Sequence, residues 1–136
     1  MQGVSLVLPV LGNGTVLIAN EYREALKSRA YNLIGGGIEE GETPAEAARR
    51  EMEEESGYTA GSLEQIFETC SIVTGKTLYV FLARDLVYGK SHPEETEDIK
   101  IEKLETEDIK KFIKNRHKKD GMLVCTLLYA KAYCKL

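Results

Sequence analysis

The chain has 136 residues, of which 43% are hydrophobic and 29% are charged, and its formal net charge is −4. This length fits one domain with a real hydrophobic core, and no linker, repeat or low-complexity stretch divides it. The composition is that of an ordinary globular protein, and the acidic balance argues weakly against a nucleic acid as partner. We therefore expect a single domain over residues 1–136.

The cysteines and histidines suggest neither disulfide bonds nor zinc. Cys70, Cys125 and Cys134 are odd in number and form no C-x-x-C pair, so reduced thiols in a cytosolic protein are the simplest account. His92 and His117 stand alone, which gives no zinc-ligand pattern. The sequence shows neither a signal peptide nor an apolar run long enough to span a bilayer. These features predict a soluble, cytoplasmic protein that does not contact a membrane.

The first predicted elements are two strands. Apolar runs at 3–10 and 15–20 are rich in branched residues and flank a Gly-Asn-Gly turn, which predicts a β-hairpin. Pro9 predicts a sheet edge or a bulge near the end of the first strand. After a connection to about Arg29, a short strand is predicted at 31–34.

A glycine-rich loop and a helix loaded with carboxylates occupy residues 35–58. Thr43 is predicted to cap the start of this helix, with Pro44 at its first position and Glu46 completing a capping box. Gly57 is placed to end the helix.

One face of this helix is acidic, because Glu51, Glu54 and Glu55 lie at i, i+3 and i+4 within an arc about 100° wide. Like charges at these spacings cost roughly 0.2–0.5 kcal/mol per pair, and no Lys or Arg is interleaved on this face. A solvated charged face is the alternative interpretation. We favour a site for a hard divalent cation such as Mg²⁺, which binds oxygen ligands.

The second half of the chain predicts a further hairpin, an edge strand and two helices. The predicted strands are 63–73, 77–83 and 99–104, and the predicted helices are 106–118 and 122–134. Strands and helices in this irregular order predict a mixed sheet between helices, in the α/β class. The basic run at 110–119 is interpreted as a solvated helix end, with a phosphate or nucleic-acid contact as the less favoured alternative.

The segment from Gly36 to Tyr58 resembles the Nudix box, G-x5-E-x7-R-E-U-x-E-E-x-G-U, in which U is an aliphatic residue. The matching positions are Gly36, Glu42, Arg50, Glu51, Met52, Glu54, Glu55 and Gly57, while Tyr58 stands where the pattern has an aliphatic residue. Within this family the chain is most similar to the ADP-ribose pyrophosphatase branch. The resemblance implies an α/β/α sandwich with a mixed sheet, and a pyrophosphohydrolase that uses Mg²⁺ or Mn²⁺ to hydrolyse a phosphoric anhydride bond.

The resemblance also implies roles for the residues of the box. The implied metal ligands are Glu51, Glu54 and Glu55, with a backbone carbonyl of Gly35 or Gly36 as a further donor. Glu42 and Arg50 would be an orienting pair, since a guanidinium can fix a carboxylate through a bidentate contact.

Residues outside the box complete the expected site. Glu95 and Glu97 lie in an acidic loop that is solvated by composition, but Nudix enzymes often supply a glutamate there as general base or extra metal ligand. The sequence does not separate these two glutamates. By the same analogy Arg23 would contact substrate phosphates, its alternative being a surface arginine. Tyr22, with Tyr31 and Tyr88, is a candidate to stack on the base, although each is more often a packing residue.

The leading hypothesis is hydrolysis of ADP-ribose or a related nucleoside diphosphate sugar to a nucleoside monophosphate and a sugar phosphate. An enzyme acting on nucleoside triphosphates, including oxidised ones, or on dinucleoside polyphosphates is the first alternative. A nucleotide sensor that does not cleave its ligand is an alternative of another class, which the self-repelling Glu51, Glu54 and Glu55 argue against. The expected partner is a small nucleotide rather than a nucleic acid, and a homodimer is compatible with the resemblance.

Overall fold

The computed structural model describes residues 3–12, 14–89 and 98–136. These residues form a seven-stranded mixed sheet and three α-helices. In chain order the elements are β1 Val4–Leu11, β2 Thr15–Arg23, β3 Ser28–Asn32, β4 Ile34–Gly37, α1 Pro44–Ser56, β5 Tyr58–Cys70, β6 Thr77–Tyr88, β7 Ile99–Glu105, α2 Ile109–Lys114 and α3 Gly121–Tyr133. A short 3₁₀ turn, Thr106–Asp108, leads into α2.

Strand β1 lies in the middle of the sheet. It pairs in parallel with β6 along one edge, and antiparallel with β4 and then β2 along the other. Both predicted hairpins are present, β1 with β2 and β5 with β6. Strand β7 pairs with β2, opposite Thr15 through Glu21.

The edge position predicted from Pro9 is wrong, because β1 has partners on both sides. Pro9 lies opposite Ala83 of β6. On the other side the pairing with β4 reaches Val7 and the pairing with β2 begins at Val10. A residue without a backbone N–H is tolerated there because it falls in the interval between the two partners.

Successive residues of the central strands pack into two different cores, since neighbouring side chains point to opposite faces. Val7 and Leu17 belong to a cluster that contains Met52 of α1. Leu8 and Ile18 belong to a second cluster, which α2 and α3 complete. We call these two sides of the sheet the α1 face and the α3 face. The sheet lies between them, which confirms the α/β/α sandwich.

Two predicted boundaries differ from the structure for tertiary reasons. The strand expected at 31–34 is divided, because β3 pairs with β2 whereas β4 pairs with β1. The helix expected at 106–118 ends at Lys114. Beyond it, the Tyr31 N–H donates to the Lys118 carbonyl and the Asp120 N–H donates to the Tyr31 carbonyl, both at 2.8 Å. This pairing with the edge of β3 takes residues 118–120 out of the helix.

Two further expectations concern the surface. Lys110, Lys111 and Lys114 are exposed on α2, and the last two lie in its final turn, so they agree with a basic helix end. The three cysteines are free thiols.

Among the described helices, none combines the length and the apolar character needed to cross a membrane.

Candidate active site

Helix α1 is fixed at both ends by the local hydrogen bonds that its sequence predicts. The Thr43 hydroxyl accepts from the Glu46 N–H at 3.1 Å, and Glu46 Oε1 accepts from the Thr43 N–H at 2.9 Å. Gly57 ends the helix in the left-handed conformation, with φ 78°. Met52 is fully buried against the sheet. The predicted start, capping box and end of α1 are therefore confirmed.

Arg50 and Glu42 are paired through two hydrogen bonds, which is the contact that the box implies. Arg50 Nε donates to Glu42 Oε2 at 2.7 Å, and Nη2 donates to Glu42 Oε1 at 3.0 Å. Nη2 also donates to the Gly37 carbonyl at 3.1 Å. The hydrogen bonds from Arg50, together with the Glu39 N–H, lower the pKa of Glu42 to about 2. Glu42 is thus held as a carboxylate at any ordinary pH.

The same guanidinium positions Glu51. Arg50 Nη1 donates to Glu51 Oε1 at 2.9 Å, while burial raises the pKa of Glu51 against the opposing effect of Arg50. The Glu51 carboxylate lies directly against Gly36, where an added Cβ would stand 2.4 Å from Glu51 Oε1. Only glycine at position 36 leaves room for this arrangement.

Glu55 is the most deeply buried of the three acids on this helix face. Its Oε2 accepts from the Gly35 N–H at 2.9 Å. Burial raises the pKa of Glu55 to about 8, assisted by the negative charges of Glu51, Glu21 and Glu54 and opposed by the Gly35 N–H. A nearby positive charge would favour the carboxylate form.

Glu54 completes the acidic face but is more open to solvent. Its side chain is 60% exposed, and its carboxylate lies 3.5 Å from Arg50 Nη1. Within residues 3–12, 14–89 and 98–136, no three His, Cys, Asp or Glu side chains are drawn together as a metal-binding group. The donor set nevertheless has the chemistry that a hard cation needs, because carboxylate oxygens of Glu51 and Glu55 lie against the backbone of Gly35 and Gly36.

The end of β2 carries a polar group on the same face of the sheet as α1. Glu21 and Arg23 follow Leu17 and Ala19 of the α1 face at intervals of two residues, so they lie on that same face. Arg23 Nη1 lies 3.4 Å from Glu21 Oε1. The Asn32 side chain of β3 donates to Glu21 Oε2 at 3.1 Å. Sequence reasoning singled out Arg23 but missed Glu21 and Asn32. The period-two alternation of β2 was the signal that could have found Glu21.

The aromatic candidates for base stacking are placed differently. Tyr22 is 39% exposed at the end of β2, where alternation points it away from Arg23. Tyr31 packs edge-on against Phe112 on the α3 face. Tyr88 lies edge-on to Tyr58, with ring centroids 5.1 Å apart. A stacking role for Tyr22 stays a prediction.

Glu95 and Glu97 lie outside the described residues. The Asp98 carbonyl accepts from the Tyr22 N–H at 2.9 Å, and Ile99 pairs with Glu21. Asp98 is thus anchored beside the polar group at the end of β2.

Comparison with known proteins places the chain in a family. A model of the NUDIX domain matches residues 1–123. The chain belongs to the NUDIX family, and it is a Nudix pyrophosphohydrolase, of the class that cleaves phosphoric anhydride bonds.

Individual relatives show the same likeness. ADP-ribose pyrophosphatase of Bacillus subtilis (strain 168) is 30% identical over 131 residues, which cover 93% of this chain and 71% of that protein. GDP-mannose pyrophosphatase of Yersinia enterocolitica is 28% identical over 143 residues, covering 97% of this chain and 74% of that protein. A crystal structure of an ADP compounds hydrolase superimposes with a TM-score of 0.86 at 19% identity, over 97% of this chain and 72% of that one. The resemblance to the ADP-ribose pyrophosphatase branch is confirmed.

Proposed function

We propose that this protein hydrolyses a nucleoside diphosphate joined to a sugar, with ADP-ribose as the leading substrate, to a nucleoside monophosphate and a sugar phosphate. One observation carries the proposal: Arg50 is held by Glu42 and itself holds Glu51 against Gly36. Such an arrangement pre-positions an acidic group for a charged ligand, which is how a hydrolase of anhydride bonds uses carboxylates.

The proposed cofactor is Mg²⁺ or Mn²⁺. Glu51 and Glu55, with a carbonyl of Gly35 or Gly36, would hold the ion, and Glu54 would join them from its exposed position beside Arg50. When bound, such an ion neutralises negative oxygens of the diphosphate and lowers the pKa of a coordinated water. Both effects suit the cleavage of an anhydride bond.

The remaining roles belong to the side chains of this chain. Arg50 keeps Glu51 in one rotamer, so that the carboxylate need not be ordered when substrate arrives. Arg23 presents guanidinium donors at the end of β2, where they suit the oxygens of a phosphate. Glu95 and Glu97 stay the candidates for the general base that takes a proton from the attacking water.

The relatives support the choice of substrate class. ADP-ribose pyrophosphatase and GDP-mannose pyrophosphatase are both named for nucleoside diphosphates joined to sugars. The chain also resembles each of them over more than nine-tenths of its own length. A nucleotide sugar is thus better supported than a triphosphate, a dinucleoside polyphosphate or a ligand that is only sensed.

The decisive experiment is product analysis by ion-exchange chromatography. The purified protein is incubated with ADP-ribose, GDP-mannose, a dinucleoside polyphosphate and a nucleoside triphosphate, each with Mg²⁺, with Mn²⁺ and with EDTA. AMP and ribose 5-phosphate from ADP-ribose, formed only with a metal ion, are the expected result. Preferential cleavage of the triphosphate or dinucleoside would replace the proposed substrate, and nucleotide binding without any cleavage would identify a sensor.

We also propose that the protein works in the cytoplasm. Three free cysteines suit a reducing cytoplasm, and a small nucleotide is the expected partner rather than a nucleic acid. The single domain over 1–136 stays a prediction. A homodimer also stays a prediction, which is tested by measuring the molar mass of the purified protein by light scattering.

A further inference from the structure

A buried hydrogen-bond acceptor without a partner lies beside the candidate site. Asn32 Nδ2 donates to Glu21 Oε2 at 3.1 Å. Asn32 Oδ1 is buried and has no hydrogen-bond partner among the residues that the structure describes. Most buried polar atoms in folded proteins are paired, so an orphaned one needs an explanation.

The orientation of the Asn32 amide follows from its neighbour. The Glu21 carboxylate can only accept hydrogen bonds, so the nitrogen of the amide must face it. A flipped amide would place two acceptors together and would leave a donor unpaired instead. Arg23 lies 3.4 Å from the other oxygen of Glu21 and helps to keep that carboxylate in place. Asn32 Oδ1 is therefore directed away from Glu21, and it is a buried acceptor that still lacks a donor.

The position of Asn32 connects this acceptor with the acidic site. Asn32 pairs with Ala19, a residue of the core on the α1 face. It precedes by three positions Gly35, whose N–H binds Glu55. Glu21, its hydrogen-bond partner, lies close enough for its charge to act on Glu55. The unpaired oxygen thus belongs to the same side of the sheet as the carboxylates of α1.

The surroundings select the kind of donor. Asn32 Oδ1 can only accept a hydrogen bond, so a deprotonated phosphate oxygen, which also only accepts, cannot pair with it. A neutral hydroxyl donates a hydrogen bond to an amide oxygen and brings no negative charge. Under the proposed function, the substrate carries a sugar on each side of the diphosphate, and both sugars have hydroxyl groups.

We propose that Asn32 Oδ1 accepts a hydrogen bond from a hydroxyl group of a sugar joined to the diphosphate, so that Asn32 is a specificity-determining residue. The inference rests on the proposed function. The hydroxyl belongs either to the ribose of the nucleoside or to the second sugar. A site that hydrogen-bonds a substrate hydroxyl discriminates against an analogue that lacks it, because a buried polar group is then left unpaired.

A double-mutant cycle between protein and substrate tests this proposal. Values of kcat/KM are measured for the unmodified protein and for Asn32→Leu on three substrates. These are ADP-ribose, an analogue with a dideoxyribose in the nucleoside, and an analogue with a dideoxyribose as the terminal sugar. We expect one analogue to be cleaved about tenfold more slowly than ADP-ribose by the unmodified protein, the scale of one hydrogen bond. Asn32→Leu should cleave ADP-ribose and that analogue at similar rates.

Further variants separate recognition from a general loss of structure. Glu21→Gln keeps an acceptor for Asn32 Nδ2, so it should retain the discrimination of the unmodified protein even if its rates fall. Asn115→Leu removes an exposed amide at the end of α2, on the α3 face, and should leave the discrimination unchanged. Asn32→Ala replaces Asn32→Leu if thermal unfolding shows that the leucine variant is not folded.

The outcomes distinguish this inference from the function on which it rests. If each analogue lowers kcat/KM by the same factor in the unmodified protein and in the Asn32 variant, the role of Asn32 is overturned but the proposed function is not. The role of Asn32 is also overturned if the unmodified protein cleaves both analogues as fast as ADP-ribose. An unmodified protein that cleaves no nucleotide sugar would overturn the proposed function, and this inference with it.

Discussion

Arg50 and Glu42 are joined by two hydrogen bonds, from Nε to Oε2 at 2.7 Å and from Nη2 to Oε1 at 3.0 Å. This bidentate pair links the loop before α1 to the middle of the helix, eight positions further along the chain. The third nitrogen of the guanidinium, Nη1, donates a hydrogen bond to Glu51 Oε1 at 2.9 Å. One planar side chain therefore sets both the loop and the acidic face of the helix.

The variant Arg50→Lys tests this geometry. A lysine ammonium cannot make two parallel hydrogen bonds to Glu42 while also reaching Glu51, because all three of its N–H bonds start from one nitrogen atom. We expect kcat to fall about 10–100-fold, the usual scale for residues that orient metal ligands. Arg49→Lys is the matched control, since Arg49 donates to the Ala60 carbonyl outside the site. Equal kcat values for the two variants would contradict the orienting role.

The close approach of Gly36 to Glu51 is tested by Gly36→Ala. The new methyl group would stand 2.4 Å from Glu51 Oε1, so that carboxylate must move. Because the obstructing atom is the end of a flexible side chain, activity should fall more than thermal stability. Gly37→Ala is the matched control, since a Cβ there meets no atom within 4 Å. The hypothesis fails if both alanine variants hydrolyse the substrate at the unmodified rate.

Glu54 is predicted to be a catalytic and metal-binding residue despite its exposure. Glu54→Gln should lower kcat about 100-fold or more, the scale expected for a positioned catalytic carboxylate. The melting temperature should hardly change, because the side chain is largely solvated and its neighbours on this face are also acidic. Glu53→Gln removes one exposed carboxylate from the adjacent position and should retain full activity. A fully active Glu54→Gln enzyme would remove Glu54 from the site.

The buried carboxyl of Glu55 predicts a pH dependence of stability. Its pKa in the folded protein is raised from the ordinary 4.5 to about 8, so between these values the folded state binds more protons than the unfolded state. Stability from this group is therefore present below pH 4.5 and is lost as the pH rises toward 8. Melting temperatures measured in EDTA across this range should fall more steeply for the unmodified protein than for Glu55→Gln.

The glutamine variant is a suitable comparison because its amide oxygen can still accept from the Gly35 N–H. Each unit of pKa difference corresponds to about 1.4 kcal/mol, so the difference between the two curves should be readily measurable. Parallel curves for the two proteins would show that Glu55 does not carry the effect.

The amino-acid sequence determined the parts of this protein that depend on near neighbours. Thr43, Glu46 and Gly57 predicted both ends of α1, because capping hydrogen bonds join residues only a few positions apart. The two apolar runs at 3–10 and 15–20, with the Gly-Asn-Gly turn between them, predicted the first hairpin for the same reason. The pairing of Arg50 with Glu42 followed from the resemblance of the box to a known family.

Tertiary structure decided the features that depend on distant partners. The interval between two strand partners accommodates Pro9, and pairing of Lys118 and Asp120 with Tyr31 ends the helical region early. Burial, assisted by the negative charges of Glu51, Glu21 and Glu54, raises the pKa of Glu55 above that of an ordinary glutamate, and helical spacing cannot predict this burial. The contact between Glu21 and Asn32 arises because β2 and β3 pair in one register. Strand register is a property of the whole sheet, so sequence alone did not place these two side chains together.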